Sequence, residues 1–465
     1  MAAKAYTASN LRIHLWACGA LANYFMSGIM FSFMSIVFIT SYEMSPAWVG
    51  LAMTIPQFVD LVVNPVLGRL SDNTHTRWGR RRPFIFAGTL LGAFLVAGIW
   101  WMPLSWVQDW KGFIYLLFFS TLLLVNLAIF EMAHVALGYE MSDDYEQRSK
   151  VMAVRNWYFS VGGLAGGFTY WLAMRPFFGT GHAGEIVGMR CISLGMAAII
   201  LVVGLISVFA TRERFQNINK THVPILQAIK ETLRNRAFVV ILVARVISVL
   251  GNGVGGGMIA YIGIYSVCQG DKELFNKVIA GWIGLATFAL SFLMIPLAVP
   301  VTRWLGKGRG LIIGAGLGCL SVLALPFVLQ PGNVYIWFAW TLLFMPMGIV
   351  SGNLLASAMP DICDVDELEH GERREGLFAA VMAFITKIES SLCAGIGGYV
   401  LVKTGFDQHL IQQAPEVIQK MRFYAFGPMI TAAILTFAVY CFFPLTKKRM
   451  DEVRAKLDAR HAAIQ

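Results

Sequence analysis

Arg69–Ile85 reads RLSDNTHTRWGRRRPFI, five arginines with one aspartate and one histidine, and long apolar runs flank it on both sides. Such a cluster suits a nucleic-acid patch, a solvated loop of a soluble protein, or a cytoplasmic loop between two membrane spans. Composition separates them. Of the 465 residues, 57% are hydrophobic and 14% are charged, against roughly 25% charged in a soluble domain. A soluble chain of this length folds as two or three domains with polar surfaces, and too few charges are present to cover them. The 45 glycines and 13 tryptophans also suit membrane helices, which tolerate glycine and place tryptophan at interfaces. The expectation is an integral membrane protein of the all-α class.

A helical span needs about 20 apolar residues. Twelve candidate spans fall near 15–40, 47–68, 83–102, 112–138, 152–174, 189–210, 237–265, 278–301, 310–329, 334–358, 376–402 and 423–445. The run beginning after Lys4 and Arg12 is too long for a signal-peptide core and is read as the first span. This predicts a six-helix bundle over 1–210, a linker over 211–236, a second six-helix bundle over 237–446 and a tail over 447–465. Lysine and arginine are retained in cytoplasmic loops. The arginine cluster, the linker, the loop holding Arg303, Lys307 and Arg309, and the tail from Lys447 to Arg460 all fall on one side of a twelve-span chain. Both termini are therefore expected in the cytoplasm, with the net charge of +10 serving orientation in a cell (inner or plasma) membrane and not nucleic-acid binding. The seven cysteines form no CxxC pair and read as small packing residues.

The two halves echo each other. MSDDYEQRSK follows span 4 and MPDICDVDELEHGERRE follows span 10, each leading into a glycine-rich span. Asn23 precedes Ser27 and Gly28 in span 1, and Asn252 stands among glycines in span 7. Weak internal repeats of this kind are expected of transporters that rock two bundles about a central site. GNGVGG, beginning at Gly251, spells a dinucleotide-loop motif but interrupts an apolar span, so a bending point in a gating helix is the better reading. No HExxH, P-loop or GxSxG sequence occurs, which leaves a membrane enzyme without a catalytic constellation, a cofactor site or a metal site.

Charge at mid-membrane costs about 2.5–3.5 kcal/mol per residue on insertion scales, so each instance needs a partner, a cavity or a task. Gln57, Asp60 and Asn64 share one helix face, which makes Asp60 a proton or cation site or a helix-end charge beside the basic loop. Glu131 suits hydrogen bonding to sugar hydroxyls, whereas His134, one turn on, reads more readily as a packing histidine. Arg155 either snorkels or balances Asp60 or Glu131. Lys387 lies too deep to snorkel easily and is expected to face the cavity. Arg245 reads as a snorkelling residue, and Glu389 carries no assignment.

DLVVNPVLGRLSDNTHTRWGRRRPFI, from Asp60, and PDICDVDELEHGERREGLFAAVMAFITK, from Pro360, resemble two signatures of the glycoside–pentoside–hexuronide:cation symporters, the melibiose-permease relatives within the major facilitator superfamily. RWGRRRPFI is also similar to a segment of the sucrose–proton carriers. The resemblance implies two pseudo-symmetric six-helix bundles, alternating access, a small sugar-like substrate and no cofactor or metal centre. It further implies a coupling site at Asp60 with Asn64 and Lys387, and substrate contacts from Glu131, Arg155 and Lys387, with Asn23 and Asn252 as further candidates. A cytoplasmic latch would form from Asp143, Arg148, Asp361, Asp364 and Arg373. Sodium-coupled members carry a second aspartate where Asn64 stands, an acid where Tyr24 stands, and an aromatic residue where Val135 stands. These departures point to a proton, with Na⁺ the alternative, and away from a melibiose-like substrate. An amphipathic or lipid-like cargo is the rival within the transporter class. A monomer in the bilayer is expected.

Overall fold

The computed structural model describes residues 9–74, 76–139, 141, 145–211, 230–286, 289–290, 294, 306–370, 374–407, 409–410 and 412–464. Among them no strand forms beyond a lone bridge between Thr76 and Gly79. Two compact units divide the chain. One is Met1–Ile218 with Ile279–Gly281 and Asp407–Ile411, and the other is Asn219–Val278 with Trp282–Phe406 and Gln412–Gln465.

The first unit holds α1 (Asn10–Ala17), α2 (Gly19–Ser32), α3 (Met34–Thr40), α4 (Pro46–Asn73), α5 (Arg82–Gly98), α6 (Trp110–Tyr139), α7 (Tyr145–Ala173) and α8 (Gly181–Phe209). The second holds α9 (Arg236–Ile262), the short α10 (Lys272–Asn276), α11 (Lys307–Val328), α12 (Val334–His370), α13 (Glu375–Lys403), α14 (Pro415–Cys441) and α15 (Lys447–Ile464). Among the described residues, eight helical segments are long and apolar enough to cross a bilayer. At 1.5 Å per residue the 29 residues of α7 run for about 43 Å, ample for the same task, although its polar first turns lower its mean hydropathy. Proline opens α4 and sits in the first turn of α5 and α14, where its missing N–H costs nothing.

The structure corrects the expectation for the first span. The stretch 15–40 is not one helix but parts of three, parted at Cys18 and Phe33. Much of the eighth expected span, 278–301, lies outside the described residues. The GNGVGG segment, expected as a bending point, runs inside the uninterrupted α9. A Cβ on Gly251 would strike Ala432, and one on Gly255 would strike the Ala425 carbonyl, so these glycines let α9 and α14 approach closely.

The arginine loop is built, not merely solvated. Thr76 Oγ1 accepts from the Trp78 amide (3.2 Å) and donates to the Gly79 carbonyl (2.6 Å). Gly79, at φ 111°, takes the left-handed backbone that closes the turn. Arg81 is buried, and Arg82 Nε donates to the Val208 carbonyl at the end of α8 (3.0 Å).

In the second unit Phe238 of α9 meets Phe378 of α13 edge to face at 4.9 Å, beside Ile362 of α12. Met450, Val453 and Leu457 complete that core from α15, the amphipathic tail helix. Asp361 holds the tail in place. It accepts from Lys307 Nζ (2.8 Å) and from Arg454 Nη2 (3.0 Å).

Candidate functional site

The first unit brings together four of the residues singled out above, in two pairs. On α4, Asn64 Nδ2 donates to Asp60 Oδ1 at 2.7 Å, one turn apart as the helix period requires. Gln57 on the same face donates to the Met53 carbonyl (3.2 Å) and is buried, as is Asp60. The pair offers one carboxylate and one amide oxygen, hence a single negative charge.

The second pair crosses between helices. Arg155 Nη2 of α7 donates to Glu131 Oε1 of α6 at 3.2 Å. The two side chains are unequal: Arg155 is 11% exposed and Glu131 is 50% exposed. The guanidinium is therefore packed in the unit and the carboxylate reaches from it into open space. Arg155 Nε is buried with no hydrogen-bond partner. A buried donor without a partner costs about 1–3 kcal/mol. Of the two acids that the sequence offered Arg155, the structure joins it to Glu131.

Tyr24 of α2 is wedged against α7. A Cβ on Gly162 would lie 2.8 Å from Tyr24 Cβ, and one on Gly166 would lie 2.5 Å from Tyr24 Cε1. The glycine-rich stretch of span 5 is thus the groove that admits the tyrosine ring, with Phe159 edge-on at 5.2 Å. On the same helix Asn23 is 1% exposed, and its Nδ2 has no partner.

His134 is fully buried and does structural work. Its ring stacks on Trp16 at 4.7 Å and on Phe130 at 5.6 Å. His134 Nε2 donates to the Trp16 carbonyl (3.0 Å), which also accepts from Ser207 Oγ (3.0 Å). In return the Trp16 indole donates to the His134 carbonyl (3.2 Å). Trp16 stands just before the break at Cys18, where helix carbonyls lose regular partners. His134 and Ser207 cap that break. A Cβ on Gly19 would lie 2.6 Å from His134 Nε2 and 2.7 Å from Ser207 Oγ, so the cap also needs glycine there.

The remaining expected residues are dispersed. Asn252 of α9 is exposed, and its amide donates to the Ser248 carbonyl (2.8 Å) within its own helix. Asp143 and Arg373 lie outside the described residues, as do the side chains of Arg148, Lys387 and Glu389. Asp364 is half-buried on α12, and Asp361 is engaged by Lys307 and Arg454 within its own unit. Sequence reading overlooked the neighbouring fork in which Arg374 grips both oxygens of Asp366 (2.9 and 2.7 Å) and also reaches Glu231 (3.0 Å). Its signal was an acid and an arginine eight residues apart across a turn.

Outside the spans, Glu43 stands in the left-handed region at φ 59° and accepts from His182 Nδ1 (3.0 Å) and His409 Nδ1 (2.9 Å). Desolvation pushes its carboxyl up, but hydrogen bonds and charge from the two imidazoles outweigh this and hold it below its ordinary 4.5.

A family model described as MFS/sugar transport protein matches residues 15–447. The chain is 25% identical to the isoprimeverose transporter of Lactiplantibacillus pentosus, over 90% of this chain and 85% of that one. It is 23% identical to the glucuronide carrier protein homolog of Escherichia coli K12, over 93% of each. Its fold is similar to the crystal structure of the nucleoside transporter NupG, with a TM-score of 0.62 at 12% identity, covering 93% of this chain and 99% of that one.

Proposed function

The chain belongs to the MFS/sugar transport protein family, the glycoside–pentoside–hexuronide:cation symporters of the major facilitator superfamily, and we propose from that premise that it couples a proton to the uptake of a sugar, glycoside or sugar acid. It is a multi-pass membrane transporter of the twelve-span all-α fold, not an enzyme. The observation that carries the substrate reading is the Glu131–Arg155 pair. An anchored carboxylate reaching into open space accepts hydrogen bonds from vicinal hydroxyls, while the guanidinium behind it suits a hydroxyl or a substrate carboxylate. The names of the relatives run in the same direction: one is an isoprimeverose transporter, another a glucuronide carrier protein homolog.

Asp60 is the coupling residue in this reading. A Na⁺ ion leaving water needs several oxygens and enough negative charge to offset its dehydration. Asp60 with Asn64 supplies one charge and one amide, a set better suited to taking and releasing a proton. Lys387, on α13, answers the charge of Asp60 as the chain alternates between inward- and outward-open states. The lopsided distribution of arginine and lysine supports a cytoplasmic location for both termini, and in this reading the transporter works as a monomer.

The test is uptake of labelled isoprimeverose, xylose, cellobiose and glucuronate by cells expressing the chain. The reading expects accumulation that collapses with a protonophore and is indifferent to Na⁺. Accumulation that survives loss of the proton gradient and requires Na⁺ would overturn the coupling ion. Transport of a lysolipid in place of every sugar would overturn the substrate class.

A further inference from the structure

At the end of the second unit away from its tail lies a cavity of about 650 Å³ whose polar wall is five glutamines with Tyr265, Ser266 and Arg422. Gln269 follows the last turns beyond α9, Gln330 precedes α12, and Gln412, Gln413 and Gln419 enter and begin α14. These are five of the chain's twelve glutamines, gathered from positions 150 residues apart at their extremes.

The wall is held from behind. Arg422 Nη2 donates to the Pro326 carbonyl (2.6 Å), and its Nη1 donates to the Leu329 carbonyl (2.9 Å). The Gly332 amide donates to the Val267 carbonyl (3.0 Å), which ties the Gln330 turn to the Gln269 turn. Gln269 adopts a left-handed backbone at φ 54°, a conformation a glutamine takes only when its surroundings fix it. On the floor Ser266 is 2% exposed and its hydroxyl has no hydrogen-bond partner. A buried hydroxyl without a partner beside these amides is one that a water or a bound polar group would satisfy.

The chemistry of that ligand follows from the wall. Gln330 is engaged, its Nε2 donating to the Pro326 carbonyl (2.8 Å) and its Oε1 accepting from Arg422 Nη1 (3.5 Å). The exposed amides of Gln269, Gln412 and Gln419 each carry two donors and an acceptor without charge, which matches a molecule whose hydroxyls both give and take hydrogen bonds. Among the described residues no carboxylate lines the cavity, and the guanidinium of Arg422 is turned onto backbone carbonyls and the Gln330 side chain. The volume falls within the range of about 300–1,000 Å³ typical of small-molecule sites. We propose that this cavity is a saccharide-binding site for neutral, polyhydroxylated ligands, separate from the Glu131–Arg155 pair. Under the orientation given above it opens to the outside of the cell, where it would collect sugar at the mouth of the transporter. Only that placement rests on the preceding section; the binding does not.

The experiment reads alkylation by a membrane-impermeant maleimide in membranes carrying full-length protein with the reporter Ile418→Cys, and separately Pro331→Cys on the cavity rim. Unsubstituted protein supplies the background. Xylose, cellobiose and isoprimeverose are the neutral probes, and glucuronate and inorganic phosphate the anionic ones. At least one neutral sugar should slow alkylation of both reporters severalfold and saturably. The protection should persist when Glu131→Gln is added, and it should weaken about tenfold in sugar affinity when Gln269→Leu and Gln412→Leu are combined, as the loss of two hydrogen bonds of about 0.5–1.5 kcal/mol each implies. Four results would overturn the proposal: no protection by any neutral probe, stronger protection by glucuronate or phosphate, protection that vanishes with Glu131→Gln, or protection untouched by the paired leucine substitutions. Because the Glu131→Gln arm separates this cavity from the transport site, failure here and failure of the symport reading are told apart.

Discussion

Replacing His134 by phenylalanine tests whether this membrane-embedded histidine handles substrate or holds the first helix together. Phenylalanine keeps the rings stacked against Trp16 and Phe130 but removes the Nε2 donor to the Trp16 carbonyl. That carbonyl still accepts from Ser207 Oγ at 3.0 Å, so the single change should cost only a net hydrogen bond, about 0.5–1.5 kcal/mol. Ser207→Ala should cost a similar amount for the same reason. Together they strand a buried carbonyl at the break in the helix, which adds the penalty of an unsatisfied group, about 1–3 kcal/mol beyond the sum. Denaturant unfolding of the purified protein in mixed micelles, run as a double-mutant cycle, measures that coupling. Sugar uptake by His134→Phe at matched expression should keep its KM. An additive cycle would show that the two side chains do not share the carbonyl. A fully stable His134→Phe protein that no longer transports would make the histidine a ligand and refute the reasoning.

The remaining expectations concern the site and the outer loop. Asp60→Asn should abolish accumulation yet leave sugar exchange, measured as efflux into unlabelled sugar, and full accumulation by the variant would remove Asp60 from coupling. Asn64→Asp adds a second charge beside the first and should begin to confer Na⁺ stimulation of uptake; a variant with no response to Na⁺ would show that the remaining ligands for the ion are missing. Arg155→Ala frees the half-exposed Glu131, a loss of about 0–1 kcal/mol in stability because water screens the pair, but should raise the KM for sugar strongly, with Arg155→Lys intermediate; an unchanged KM would argue that the pair lies away from substrate. Glu43, with its carboxyl held below 4.5, contributes above pH 4.5 while its imidazole partners carry protons, and loses that contribution as pH falls through the lower folded value. Hydrogen exchange at His409 and Leu410 should therefore quicken only under strongly acidic conditions, and Glu43→Gln should make it quick at all pH values.

Much of the fold was legible because a membrane span is a property of one contiguous stretch: length and apolarity mark it without knowledge of any partner. The tertiary reasons for details were not. Nothing near Cys18 in sequence announces that the first helix breaks there, since its cap comes from His134 and Ser207, more than a hundred residues away. Periodicity alone placed Asp60 and Asn64 on one face, because a single helix sets their spacing. Arg155 had two possible acids, and only the packing of α7 beside α6 joins it to Glu131. Asp361 looked like one member of a latch, whereas its partners lie 54 and 93 residues away along the chain. The glutamine cavity escaped notice because its members come from three separate turns, although IQQAPEVIQ shows three glutamines within eight residues.

The docking of α15 bears on how this protein is made. Met450, Val453 and Leu457 belong to the same buried cluster as Phe238, Ile362 and Phe378, yet they are translated only after α9, α12 and α13, which supply its other walls. The second unit cannot close its core while synthesis of the spans continues, because the helix that covers it has not left the ribosome. Its final packing therefore follows the synthesis of α9, α12 and α13. Asp361, waiting beside Lys307, is then the receptor on which Arg454 lands. A nascent chain halted before Lys447 would present that apolar surface uncovered, and cellular quality control would read an inserted protein as an unfinished one.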